Sequence, residues 1–179
     1  EAGQIRAWGS DENPTSSEVN GTPRFSRFWI GGDSQGPRVF ETRTVTPLRF
    51  VRLDYAGRIV ETLRDPTGVP AADFDRNGDG ILDGRDLVEV GGDRFFLAQG
   101  EWVAPLADTV EAAFFVDVGN SLFEDTPWGL DDVRVSAGLE MRFYLPVFPV
   151  PLRLIYGWPL RKINEDRTSN FMFSIGRSF

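Results

Sequence analysis

One stretch of this 179-residue chain has the side chains and the spacing to hold a metal ion. Asp75-Arg76-Asn77-Gly78-Asp79-Gly80-Ile81-Leu82-Asp83-Gly84-Arg85-Asp86 places oxygen-bearing side chains at its first, third, fifth, ninth and twelfth positions and glycine at its sixth. That is the pattern of an EF-hand-type loop, in which alternate carboxylates and an amide wrap a hard, oxygen-seeking cation and the glycine permits the sharp bend. Asp75, Asn77, Asp79, Asp83 and Asp86 would offer side-chain oxygens to Ca2+, and Ile81 its backbone carbonyl. Aspartate stands last in place of the longer glutamate, and the flanks do not read as helices: Pro70-Ala71-Ala72 precedes and the strand-like Leu87-Val88-Glu89-Val90 follows. The expectation is a structural calcium site that staples a long surface loop, against the plainer alternative of an acidic turn.

Other chemistry is narrowed by what the chain lacks. It contains no cysteine and no histidine. Disulfides, thiolate metal sites, histidine-ligated zinc and a Ser-His-Asp triad are therefore excluded, and the chain is not expected to be an enzyme. A net charge of -8 argues against nucleic acid as a partner, because binding phosphates needs a basic patch. The cations are nearly all arginine, Lys162 being the one lysine. Guanidinium pairs flat and bidentate with carboxylates in crowded surroundings, which suits the charged interior of a barrel.

The elements that must position these groups are strands. No apolar run approaches the roughly 20 residues of a membrane-spanning helix. Instead, period-two alternation recurs along the second half of the chain. Phe171, Phe173, Ile175 and Phe179 share one face, opposed by Ser174, Gly176 and Ser178. Leu152, Leu154, Tyr156 and Trp158 oppose Arg153, Ile155 and Gly157, while Val133, Val135, Ala137, Leu139, Met141 and Phe143 oppose Arg134, Ser136, Gly138, Glu140 and Arg142. Val110, Ala112, Phe114, Val116 and Val118 oppose Glu111, Phe115 and Asp117, and Phe96, Ala98 and Trp102 oppose Gln99 and Glu101. Five such strands of about nine to eleven residues match the length that crosses a bilayer at a tilt. Pro105–Asp108 and Pro146–Pro149 read as tight turns, whereas 120–131 and 161–170 read as longer polar loops, the asymmetry of an outer-membrane barrel. The expected fold is all-β: an antiparallel transmembrane β-barrel with a long extracellular loop. Residues 1–9 would end a preceding strand, 10–93 would form the loop, with a hairpin of Leu48–Tyr55 and Arg58–Arg64, and 94–179 would supply the five strands. Five strands cannot close a barrel, since the smallest have eight, so the chain is expected to be the carboxy-terminal part of a larger one.

Several short motifs follow one another at compatible spacing: Phe28-Trp29-Ile30-Gly31-Gly32-Asp33-Ser34, Arg38-Val39-Phe40, Val90-Gly91-Gly92 with Glu101 beyond it, Phe115-Val116-Asp117-Val118-Gly119-Asn120, Val135-Ser136-Ala137-Gly138-Leu139, and the Phe-rich terminal strand. Over nearly the whole chain the series resembles the family of BamA-type outer-membrane β-barrel assembly factors. By that resemblance the five strands are the last five of the barrel, and Gly31 and Gly32 open the sixth extracellular loop. Arg38 and Phe40 belong to a motif that this loop carries into the lumen, where Arg38 pairs with the inward carboxylate of Asp117, with Glu101 beside it. Val39 stands where the family has glycine. A β-branched residue tolerates positive φ poorly, so the turn is expected to differ in geometry.

The resemblance also makes the terminal strand, with Phe171, Phe173, Ile175, Gly176 and Phe179, the signal for insertion and the strand that meets the barrel's first strand at a seam. It implies location in the outer membrane of a Gram-negative-type envelope and assembly of other barrel proteins there, without covalent chemistry. The implied partners are the remaining strands and periplasmic domains of the same barrel, accessory assembly subunits, nascent β-barrel clients and membrane lipid. The alternatives are a protein-translocation pore of the same superfamily, or a calcium-stabilised adhesin or passive channel on a barrel scaffold.

Overall fold

The computed structural model of the chain describes residues 2–4, 18–19, 22–23, 26–56, 59–123, 126–127, 132–146, 150–163 and 166–176. In chain order the strands are β1 (Ala2–Gln4), β2 (Glu18–Val19), β3 (Thr22–Pro23), β4 (Leu48–Leu53), β5 (Ile59–Leu63), β6 (Leu87–Glu89), β7 (Arg94–Ala107), β8 (Val110–Leu122), β9 (Arg134–Phe143), β10 (Leu152–Arg161) and β11 (Phe171–Ile175). The main sheet is antiparallel with order β1-β7-β8-β9-β10-β11. β1 lies against the amino-terminal end of β7, and among the described residues β1 and β11 are the two edges, so this is one wall of a barrel.

Alternation sorts the wall into two environments. On β8, Ala113, Phe115 and Asp117 are buried, while Phe114 is 54% and Val116 50% exposed. On β10, Arg153 and Ile155 are buried and Tyr156 and Trp158 are exposed, and on β11 Phe171, Phe173 and Ile175 all face out. Large apolar side chains on the open face and arginines, carboxylates and glycines on the covered face invert the pattern of a soluble protein. This is what a sheet shows when one side meets lipid and the other a polar lumen.

Two strands are longer than their alternation suggested. β7 has 14 residues and β8 has 13. The tight turn falls at Asp108-Thr109 and not at Pro105–Asp108, because β7 carries Pro105 inside the strand at a register shift between Pro105 and Ala107. Proline, having no N–H for the ladder, is tolerated at such a bulge. Trp102 lies within β7, stacked on Phe114 of β8 at 5.7 Å between ring centroids. Phe179 and much of the Pro146–Pro149 turn lie outside the described residues.

Within residues 26–93 the hairpin of β4 and β5 gains a third strand, since β6 pairs with the other edge of β4. Val51, Ile59, Val90 and Phe123 pack beneath it, so this small sheet rests on the end of β8. The segment before it, residues 28–45, folds into the covered face of the wall.

Candidate functional site

The loop that reaches the covered face turns tightly on glycines. Gly31 and Gly32 have φ of 124° and 95°, and a Cβ on Gly31 would lie 2.5 Å from the carbonyl oxygen of Glu41. Gly31 N donates to Gln35 O at 3.1 Å and Gly32 N to Phe40 O at 2.9 Å, which closes the segment into a compact fold. Side chains at either glycine would prise it open.

That fold delivers Arg38 to the wall, with its side chain wholly buried. Its backbone N and its Nε donate to Asp117 Oδ2 at 2.9 and 2.8 Å, and Nη2 donates to Asp117 Oδ1 at 2.8 Å. Nη1 donates to Glu101 and, at 3.0 Å, to Glu140 Oε2. The guanidinium also lies over the Phe115 ring, 4.0 Å from its centroid. Glu101, Asp117 and Glu140 come from β7, β8 and β9, three neighbouring strands whose inward positions are brought together by the ladder. Burial works against the Arg38 charge, but the hydrogen bonds and charge of Asp117, and then of Glu101, outweigh it and hold the group above its ordinary value.

Arg38 and Phe40 are brought together with Asp117 and Glu101. Phe40 packs in a cluster with Ile30 and Val45 against Phe95. The network is wider than the sequence suggested. Arg142 and Arg153 stand opposite one another in register on β9 and β10 and share Glu140, at 2.6 Å to Arg142 Nε and 2.6 and 2.9 Å to Arg153 Nε and Nη2. Arg142 reaches Glu101 at 2.7 Å, and Arg153 reaches Asp33 of the loop at 3.2 Å. Alternating charge lets so many buried ions coexist, each oxygen facing a guanidinium. Alternation placed Glu140, Arg142 and Arg153 on the inward face but said nothing of their height on the wall, so their convergence was not legible.

Val39 corrects an expectation. It keeps φ at +80°, so the turn retains the conformation that glycine favours. The strain is offset by packing: Val39 is fully buried against Phe115 and Ile155, with Met172 alongside. The space comes from glycines on the wall. A Cβ on Gly157 would lie 2.8 Å from Val39 Cγ2, and one on Gly138 would lie 2.8 Å from Phe115 Cζ and 2.3 Å from the Tyr156 carbonyl. On the terminal strand, Gly176 has φ of 142° and donates its N–H to Pro151 O at 3.1 Å, just past the last ladder residue.

The acidic loop is held by its own backbone. Asp75 accepts from Gly78 N and Gly80 N at 2.6 and 2.7 Å, Asn77 from Asp79 N, and Asp79 from Ile81 N, with Gly78 and Gly80 at φ of 76° and 81°. Asp86 is buried and closes the loop, accepting from Arg76 N at 2.9 Å and Asp83 N at 3.1 Å. Arg85 donates to Asp83 at 2.7 Å and forms an ion pair with Asp79 at 2.8 Å, a cation between two of the expected ligands. The Arg85 hydrogen bonds hold Asp83 below the usual carboxylate range, and the amides of Asp83 and Arg76 do the same for Asp86. Among the described residues no three acidic groups are gathered as metal ligands.

A wall with an apolar outer face, a charged inner face and an inserted loop locked by a buried arginine defines a transmembrane β-barrel with an occupied lumen. The chain belongs to the Omp85 superfamily, whose domain matches residues 7–179, and its strands are those of an outer-membrane protein. It is similar to the outer membrane protein assembly factor BamA of Nitratidesulfovibrio vulgaris, with 28% identity over 162 residues, 88% of this chain and 16% of that relative. Its fold is similar to the crystal structure of BamA from Haemophilus ducreyi lacking POTRA domains 1–3, with a TM-score of 0.57 and 18% identity over 88% of this chain and 28% of that one. The chain thus spans a small part of either.

Proposed function

We propose that this chain is the working wall of an outer-membrane protein assembly factor, which helps other β-barrel proteins fold into the membrane without covalent chemistry. The seated loop is the observation that carries it. Arg38 fixes the loop against three strands of the wall, on its inner face and close to the terminal strand. The similarity to a relative named as an assembly factor points the same way. Its partners would be the rest of its own barrel with periplasmic domains, accessory subunits, unfolded barrel clients and lipid. The test is client folding in proteoliposomes carrying the full-length protein. Acceleration that is lost in Arg38→Ala supports the proposal, and no acceleration by the unaltered protein refutes it.

We also propose that the 75–86 loop takes up Ca2+ through Asp75, Asn77, Asp79, Asp83, Asp86 and the Ile81 carbonyl. The twelve-residue spacing and the two left-handed glycines support it. Arg85 must then swing away from Asp79 and Asp83. Titration calorimetry that shows no calcium-specific heat would remove the claim.

A further inference from the structure

A line of side chains runs from the lumen loop to the terminal strand. Asp33 follows the two glycines of the loop, and its Oδ2 accepts from Ser174 Oγ on β11 and from Arg153 Nη1 on β10. The remainder of the Arg153 guanidinium grips Glu140, which accepts in turn from Arg38. The backbone repeats the connection at the far end of the same segment. Phe40 forms an antiparallel bridge with Thr168, Ser169 N donates to Val39 O at 2.8 Å, and Glu41 N donates to Arg167 O at 3.0 Å. Residues 33–41 are therefore bonded at both ends to the β10–β11 hairpin.

Among the described strands β11 pairs with β10 alone. It has five residues paired with Leu152–Tyr156 of β10, and the pairing is extended by Gly157 N donating to Asn170 O at 2.9 Å and Gly176 N to Pro151 O at 3.1 Å. Its outward side chains, Phe171, Phe173 and Ile175, make no inner packing, which leaves Met172 and Ser174 as its inward contacts. A strand this short opens at a lower free-energy cost than the 13- and 14-residue strands of the same wall. Bonds from the loop therefore weigh heavily in its stability.

We propose that Asp33 is a positioning residue that fastens the terminal strand to the seated loop, so that the pairing of β11 depends on whether the loop is in place. When the loop leaves the lumen Asp33 leaves with it. Ser174 then loses its acceptor, Arg153 loses one of its two anions, and residues 167–169 lose their backbone partners. Loop and terminal strand thus move as a coupled pair, with Ser174 as the contact on the strand side. The coupling does not depend on the assembly activity, and a secretion pore with this loop would show it equally.

Hydrogen–deuterium exchange on the full-length protein in lipid nanodiscs tests this directly. Asp33→Ala, Ser174→Ala and the double variant are compared by following the amides of 171–175, with 114–118 on β8 as the internal reference. Loss of a hydrogen bond to a charged group should speed exchange on β11 about tenfold or more. Asp33→Ala, which also frees Arg153, should act at least as strongly as Ser174→Ala, the double should not exceed Asp33→Ala, and β8 should not change. Ser174→Ala removes a hydroxyl and leaves every ion pair intact, so it reports even if Asp33→Ala folds poorly. Unchanged β11 exchange in Ser174→Ala, equal acceleration of β8 and β11, or additive effects in the double variant would each overturn the proposal.

Discussion

Replacing Arg38 with alanine removes every side-chain donor that reaches Asp117 among the described residues, namely Nε and Nη2 at 2.8 Å each, and leaves that fully buried carboxylate with one backbone amide. Stranding a buried charge in this way costs about 3–5 kcal/mol. The equilibrium for seating the loop would shift by between about a hundred- and a few-thousand-fold. Glu140→Gln is the informative contrast. Although Glu140 touches three arginines, its loss leaves Arg38 on Asp117, Arg142 on Glu101 and Arg153 on Asp33. Its cost should be smaller, about 1–2 kcal/mol. A third variant, Arg38→Met with Asp117→Leu, deletes both charges and should recover most of the lost stability. Equilibrium denaturation of the full-length protein in detergent micelles measures all three. A cost below about 1 kcal/mol for Arg38→Ala, or one no larger than for Glu140→Gln, would refute the reasoning.

Val39 separates strain from packing. Val39→Ala keeps the positive φ and loses the buried methyls, whereas Val39→Gly loses the methyls but relieves about 1 kcal/mol of backbone strain, so alanine should destabilise more than glycine in the same denaturation assay. Gly138→Ala should cost about 1–3 kcal/mol, because its Cβ meets backbone of the neighbouring strand, and the melting temperature will report it. In the acidic loop, Arg85→Ala should tighten calcium binding measured by calorimetry by removing a competing cation. Because the Asp83 and Asp86 carboxylates are held below their ordinary values, what they add to loop stability is complete above the usual aspartate pKa of about 3.9 and fades as pH falls through their lowered values. Amide protection at Arg76, Asp83 and Arg85 should therefore be constant from neutrality to about pH 5 and fall only in stronger acid.

The sequence carried the faces of the wall because lipid and lumen impose opposite chemistry on alternate residues, as Phe114 and Phe115 show by lying adjacent in the chain and on opposite sides. It carried the partners of Arg38 on β7 and β8 through resemblance. Strand ends were less legible, since Pro105 resembles a turn residue and is absorbed by a bulge, and Asn120 and Ser121 look like loop yet extend β8. The roles of Asp33, Arg153 and Ser174 were hidden for a different reason. Alternation gives a side chain its face and not its neighbours, and Asp33 meets Ser174 only after two glycines have turned the loop and the ladder has fixed β10 against β11.

Whether the loop occupies the lumen in the living membrane can be tested with a pair of cysteines, because the chain has none of its own. Val39→Cys with Gly157→Cys places two thiols where loop and wall touch, since a Cβ on Gly157 would lie 2.8 Å from Val39 Cγ2. Val39→Cys with Trp158→Cys, one residue along and on the outward face, is the control. Mild oxidation of intact cells should link 39 to 157, detected as a cross-linked peptide by mass spectrometry, and should leave 39 and 158 unlinked. If 157 stays free while the barrel is folded, or if 158 links in its place, the loop is not seated against this wall.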